Sequence, residues 1–270
     1  MSKIIELYEG LPVESEGWNF PSGEMIMKNL HVEYNISRPT LTVYPANPEL
    51  NIGTSVIIAP GGGYFLLVTE HEGSVLAERL SKKGITAFLL RYRVKPVKDL
   101  KKEFEEALSH PETLEQTIAP IAEFAGNDGL QAVKYLRDHA EKLGIEPDRI
   151  GMVGFSAGGG VTLMTAFNST EQNCPNFIAP IYAHMPVALV GRKVPSFNMP
   201  AFIAVAFDDD LGLAPTSFEL AKKWFEAKQP VEFHAYEKGG HAFGMTPKGL
   251  PVDDWIVQFE NWMVSHHYLK

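Results

Sequence analysis

The sequence predicts an α/β fold with a mostly parallel central sheet and helices on both faces, and three observations carry that prediction. Short runs rich in Val, Ile, Phe and Ala recur along the chain, separated by stretches whose apolar positions follow helical spacing. Several runs, among them 55–59, 177–183 and 201–207, are apolar at consecutive rather than alternate positions, the pattern of a strand covered on both faces. Strands alternating with helices then imply parallel pairing through helical crossovers, with any site at the carboxyl ends of the strands.

Taken in order, residues 1–30 carry Pro12 and Pro21 with glycines and serines around Trp18, and read as an irregular arm. Strands are predicted at 31–36 and 41–44, where side chains alternate, and at 55–59, where they do not. A helix over 73–83 stops at Gly84, and a strand follows at 85–91. Residues 98–124 are longer and more polar than a simple crossover and read as one or two helices inserted at the edge of the site, a lid insertion of about 98–127. An amphipathic helix at 130–143 places Val133, Leu136 and Ala140 on one face and ends at Gly144; a strand at 149–153 and a helix at 157–167 come next. The second half continues with strands at 177–183 and 201–207, a helix at 217–227, a strand at 231–236 and a closing helix at 253–267. No internal repeat interrupts this rhythm, so one domain over 1–270 is expected.

Composition narrows the function classes. With 24 Lys and Arg against 33 Asp and Glu, the net charge of −9 supplies no basic surplus for nucleic acid or an anionic membrane. Cys174 is the only cysteine, which rules out an intrachain disulfide and a cysteine zinc cluster, and it reads as an inert packing residue. The first residues show no apolar signal core and no stretch is apolar enough to span a bilayer, so a cytoplasmic location is expected.

Four motifs carry chemistry. Gly154-Phe155-Ser156-Ala157-Gly158 is a G-x-S-x-G run between a predicted strand and helix, the nucleophile elbow of the α/β-hydrolase fold, in which a strained serine requires small residues two places before and after it. The helix beginning at Ala157 aims its N-terminus, with partial positive charge and free N–H groups, at the reacting centre. Pro60-Gly61-Gly62-Gly63-Tyr64 follows the 55–59 strand; bare backbone there suits an oxyanion hole built from the N–H of Gly62 or Gly63 with that of Ala157. Tyr64, beside that loop, is a candidate substrate-binding residue. His241, among Gly239, Gly240 and Gly244 after the 231–236 strand, is the preferred base, with His184 and His71 as rivals near other strand ends. At the end of the 201–207 run stand Asp208, Asp209 and Asp210. Spacing leaves all three open as the carboxylate partner of the histidine, in the preference Asp209, Asp210, Asp208, and the order Ser, Asp, His is that of α/β-hydrolases.

With these residues in hand, the sequence resembles the bacterial carbohydrate acetylesterases and the related acetylxylan-esterase-like, xylanase-labelled hydrolases, over about residues 30–267. The resemblance includes the glycine loop with Glu72-Gly73 downstream, Leu90-Arg91-Tyr92-Arg93, Asp128 with Ala132, Tyr135 and Leu136 ahead of the 144–159 stretch, Ala179-Pro180-Ile181-Tyr182, and Tyr236-Glu237-Lys238-Gly239-Gly240-His241. It implies that the aspartate nine residues after Pro200, Asp209, pairs with His241, and that Gly62 and Gly63 form the oxyanion loop. It further implies an acetyl ester, with a sugar as alcohol, and no metal or organic cofactor. Members of the group are often exported with a leader, of which this sequence shows none, and its 99–124 segment is longer and more acidic than the group leads one to expect. Two other readings stand beside the esterase: a serine peptidase of prolyl-oligopeptidase type, and a non-catalytic small-molecule-binding homologue. The oligomeric state is not legible.

Overall fold

The computed structural model describes residues 3–18 and 20–270. Its strands are β1 (Lys3–Glu6), β2 (Gly23–Met27), β3 (Leu30–Tyr34), β4 (Thr40–Tyr44), β5 (Ser55–Ala59), β6 (Leu66–Leu67), β7 (Thr86–Arg91), β8 (Ile150–Phe155), β9 (Phe177–Ile181), β10 (Ala201–Ala206) and β11 (Val231–Tyr236). Its helices are α1 (Val75–Lys82), α2 (Leu100–Ser109), α3 (Pro111–Asp138), α4 (Ala140–Leu143), α5 (Ala157–Asn168), α6 (Ala214–Glu226) and α7 (Trp255–Ser265). Eight strands form one sheet in the order β1-β4-β7-β5-β8-β9-β10-β11, parallel from β7 to β11, with β1 and β4 antiparallel at one edge. The predicted α/β class and mostly parallel sheet are therefore found.

The consecutive apolar residues of the central strands have a direct cause. Along β8, Ile150 and Met152 pack against one face of the sheet with α3 and α5, while Val153 and Phe155 pack on the other with α1 and α7. Both faces exclude water, so both parities are apolar. The aromatic side chains of Trp255, Phe259 and Trp262 fill the second layer against β8, β9 and β10. A bidentate pair between Arg79 and Glu260, with Nε 2.6 Å from Oε1, joins α1 to α7.

Three expectations are corrected. The first thirty residues are not simply irregular: β1 pairs antiparallel with β4, and β2 forms a hairpin with β3, which in turn pairs with β6. Strands β1 and β2 are largely exposed on both faces and show no alternation for a sequence reading to detect. The 98–124 insertion and the 130–143 helix are not separate elements. After α2, one 28-residue helix, α3, runs through Pro120 and continues to Asp138. Gly126 and Gly129 let α5 approach: a Cβ on Gly126 would lie 2.6 Å from Met164 Cβ, and one on Gly129 would lie 2.0 Å from Thr165 Oγ1. The helix predicted from Gly73 begins with a π turn, Glu70–Ser74, before α1.

One buried polar cluster ties the amino-terminal segment to this frame. Arg93 donates from Nε to both carboxylate oxygens of Asp128 at 3.0 Å, and from its backbone N–H at 2.9 Å. The Tyr8 hydroxyl donates to Asp128 at 3.0 Å, and Arg93 also reaches Glu14 and the Phe124 carbonyl.

Cys174 is buried, and burial pushes its thiol above the ordinary value. The native protein at pH 8 is therefore expected to react with a disulfide reagent at least about tenfold more slowly than the unfolded chain; equal rates by absorbance would contradict the packing role.

Candidate active site

The carboxyl ends of β5, β8, β10 and β11 deliver the four sequence motifs to one place. Ser156 sits between β8 and α5 at φ 51°, ψ −116°, a conformation that L-residues rarely adopt. The small residues around it are a steric necessity. A Cβ on Gly154 would lie 2.1 Å from the Gly158 carbonyl oxygen, and one on Gly158 would lie 2.0 Å from that of Ala59. The elbow is held from both sides, since the Ser156 N–H donates to Ile181 O at 3.1 Å and the His184 N–H donates to Ser156 O at 2.9 Å.

His241 Nε2 lies 2.9 Å from Ser156 Oγ, and its Nδ1 lies 2.9 Å from Asp209 Oδ2. A carboxylate can only accept, so in the neutral ring Nδ1 carries the proton and Nε2 is free to take the serine's. The Asp209 side chain is fully buried, and its other oxygen accepts from the Leu211 N–H at 2.9 Å. Of the three aspartates, Asp209 is thus the one the fold places against the imidazole. The other two stand in an exposed turn. Asp208 Oδ1 accepts from the N–H groups of Gly239 and Gly240 at 2.8 and 2.7 Å, and Asp210 Oδ1 accepts from the His241 N–H at 3.1 Å. The Gly240 and Gly239 N–H donors hold the Asp208 carboxyl below its usual range. Three consecutive carboxylates therefore grip the histidine loop, two by its backbone and one by the ring.

The glycine loop divides its donors. The Gly61 N–H is taken by Glu72 Oε2 at 2.8 Å, whereas among the described residues the N–H groups of Gly62, Gly63 and Ala157 donate to no protein acceptor. The loop is fixed by further bonds: the Tyr92 hydroxyl donates to Pro60 O at 2.6 Å and the Val68 N–H to Gly61 O at 3.0 Å. Gly62 stands at φ 138°, where a Cβ would lie 2.0 Å from Leu66 O, so only glycine fits. Besides Ser156, the non-glycine residues Tyr64, Tyr182 and Ala242 also have positive φ. Such strain is not confined to the site, since Lys28, Asn29, Asn35, Lys228 and His267 also have positive φ; at the site, surrounding packing has to maintain it.

Beside Ser156, Gly63 and Ala157 opens a cavity of about 270 Å³, walled by Tyr64, Phe104, Leu114, Ile118, Leu211 and Leu213. The 98–127 insertion supplies one side of it through α2 and the start of α3. Tyr64 lines this cavity as expected, but its hydroxyl is fully buried and has no partner among the described residues. A Cβ on Gly160 would lie 2.3 Å from that oxygen, so the hydroxyl packs against α5. His184 also lines the cavity, but its ring Nε2 lies 2.9 Å from Glu115 Oε2, and the Ser156 hydroxyl is paired with His241 instead. His71 lies against Thr246, with Nδ1 3.3 Å from its hydroxyl.

Sequence reasoning gave no role to Glu72 or Tyr182, and weighed Asp208 and Asp210 only as alternative partners of His241. The signal for Glu72 was present, since an acidic residue close behind the glycine loop is part of the resemblance, but its partners, Gly61 and Tyr182, stand in the loops after β5 and β9.

A serine hydroxyl with an imidazole acceptor, a buried carboxylate behind the imidazole and free N–H groups alongside is an arrangement able to carry out nucleophilic acyl transfer. The sheet order and the strand–turn–helix that bears Ser156 give this chain the α/β-hydrolase fold. Residues 115–206 match the family model described as BD-FAE. The chain is 31% identical over 250 residues to an acetylxylan esterase of Xylanibacter ruminicola, covering 82% of this chain and 47% of that protein. It is 28% identical over 239 residues to an endo-1,4-beta-xylanase B of Butyrivibrio fibrisolvens, covering 75% of this chain and 34% of the relative. The chain thus spans half or less of the length of these curated relatives. Among solved structures, an acetyl ester-xyloside bifunctional hydrolase from Caldicellulosiruptor lactoaceticus superposes with a TM-score of 0.73 at 23% identity, covering 99% of this chain and 97% of that one.

Proposed function

We propose that this chain is a serine carboxylesterase acting on short-chain, specifically acetyl, esters, with an acetylated sugar as the alcohol side. The observation that carries the reading is the unbroken series of 2.9 Å contacts from Ser156 Oγ through His241 to Asp209. Ser156 Oγ attacks the ester carbonyl carbon as its proton passes to His241 Nε2, and Asp209 stabilises the imidazolium. The N–H groups of Ala157 and of Gly62 or Gly63 receive the oxyanion. Collapse expels the alcohol, which takes the proton from His241. Water, deprotonated by the same imidazole, then frees the acid and regenerates Ser156. The acetyl and sugar assignments are supported by the names of the relatives, and the 98–127 segment is the lid over the acyl-enzyme.

The peptidase reading would need a carboxylate in the cavity free to hold an amine. Glu115 is the carboxylate there, and it already accepts from His184 Nε2 and from the Val187 N–H at 3.1 Å. Initial rates on p-nitrophenyl acetate, butyrate and octanoate, on an acetylated xylo-oligosaccharide and on an aminoacyl p-nitroanilide test the proposal. Preferential turnover of the acetyl esters is expected. Anilide cleavage with little ester turnover would move the chain to the peptidases, and folded protein inert on every substrate would favour a binding role.

A further inference from the structure

We propose that Glu72 is a positioning residue of this site, a buried carboxylate that holds the glycine loop and the histidine loop in register with each other. The inference rests on the ester-hydrolysis reading, but its structural basis is separate. Glu72 is 3% exposed and makes no hydrogen bond to Ser156 or His241. It lies inside the π turn at φ −110°, ψ 15°, where the helical run is interrupted. Such turns frequently occur at functional sites.

Its two oxygens serve different loops. Oε2 accepts from the Gly61 N–H at 2.8 Å, one residue before the free donors of Gly62 and Gly63. Oε1 accepts from the Tyr182 hydroxyl at 2.7 Å, and that same hydroxyl oxygen accepts from the Gly244 N–H at 3.0 Å, three residues after His241. Gly244 is anchored in turn, its carbonyl accepting from Trp255 Nε1 at 2.7 Å. The Tyr182 ring meets the His241 ring edge-on, with centroids 5.1 Å apart. Glu72 therefore joins the loop that is to hold the oxyanion to the loop that carries the base.

The contact leaves no slack. A Cβ on Gly61 would lie 2.6 Å from Glu72 Oε2 and 3.0 Å from Ser156 Cβ, and one on Gly244 would lie 3.2 Å from Glu72 Cγ. Burial disfavours the charged carboxylate and raises its pKa, against the two donors that lower it. A side chain that only filled this space would be more stable if apolar. What an apolar side chain lacks is acceptors for Gly61 and Tyr182, and with them the geometric link. Oxyanion hydrogen bonds strengthen in the transition state, so loosening this link lowers kcat while leaving KM nearly unchanged.

The test compares the full chain with Glu72→Ala, Glu72→Gln, Tyr182→Phe and the Glu72→Ala/Tyr182→Phe double variant. Readouts are kcat and KM on p-nitrophenyl acetate and amide hydrogen exchange at residues 60–64 and 239–245. Glu72→Ala is expected to lower kcat by about 10²–10³-fold with KM within about threefold, and to speed exchange in both loops. Glu72→Gln is expected to recover kcat to within about tenfold of wild type, because its amide oxygen accepts from Gly61 and its amide nitrogen donates to the Tyr182 oxygen. Tyr182→Phe should lower kcat by about tenfold or more, and the double variant should be no worse than Glu72→Ala, because both act through one link. Wild-type-like kcat and exchange in Glu72→Ala overturn the proposal, as does Glu72→Gln failing as badly as alanine, which would assign the effect to charge. Should Glu72→Ala not fold, Tyr182→Phe decides: wild-type kcat and exchange there overturn it. If the wild type hydrolyses no ester, the ester reading falls, and the exchange measurements still decide whether Glu72 couples the loops.

Discussion

Replacing Ser156 by alanine is expected to reduce kcat/KM on p-nitrophenyl acetate by about 10⁴–10⁶-fold while leaving the fold intact. The magnitude follows from the geometry. Without Oγ no acyl-enzyme forms, and what remains is the binding and the free N–H groups of Gly62, Gly63 and Ala157 acting on water. Alanine removes one polar atom, so Tm should change little. Asp209→Asn is expected to cost about 10⁴-fold for a different reason. Its oxygen already accepts from the Leu211 N–H, and turning the amide nitrogen toward His241 would favour the tautomer with the proton on Nε2, which cannot accept from Ser156. Initial rates with active-site titration by a fluorophosphonate probe measure both effects. Undiminished turnover in Ser156→Ala would place the nucleophile elsewhere.

The largest effect on stability is expected at Arg93. The Arg93 and Asp128 side chains are 1% and 0% exposed, with Nη2 2.8 Å from Oδ1. Arg93→Met leaves Asp128 buried with only the Tyr8 hydroxyl and the Arg93 backbone N–H to satisfy it. An uncompensated buried charge of this kind costs about 3–5 kcal/mol, a fall in Tm on the order of 10 °C for a chain of this size. The double variant Arg93→Met/Asp128→Leu removes both charges and should recover most of that loss. Calorimetry or denaturant titration of the single and double variants tests this. Equal destabilisation of the two would mean that packing, not the unpaired carboxylate, sets the cost. Because Tyr8 and Glu14 belong to the same cluster, the single variant should also raise proteolytic sensitivity in the amino-terminal segment.

Some of this was legible because it is local. The parallel strands announce themselves by apolar residues at both parities, since water is excluded from both faces of β5, β8 and β10. The serine elbow is written in Gly154 and Gly158, because any larger side chain would collide with a carbonyl oxygen within 2.1 Å. What failed were features whose cause lies in a distant element. Gly126 and Gly129 weaken a helix taken alone, yet they are required once α5 lies against α3, so the helix is continuous where its own sequence suggests a break. The exposed strands β1 and β2 gain their definition from their pairing partners β4 and β3.

The sequence by itself determined the alternation of the central strands with helices, the strand ends at which the chemistry-bearing residues stand, and the steric requirement around Ser156. Each of these follows from side-chain period and backbone sterics over a few neighbouring residues. Only the tertiary structure decided which aspartate faces His241, what the other two hold, and that Glu72 reaches both Gly61 and, through Tyr182, Gly244. The bond from Glu72 to Tyr182 crosses 110 residues of chain and that from Asp209 to His241 crosses 32. A hydrogen bond's direction and length at such separations are set by how strands register and loops pack, which no local pattern of residues encodes.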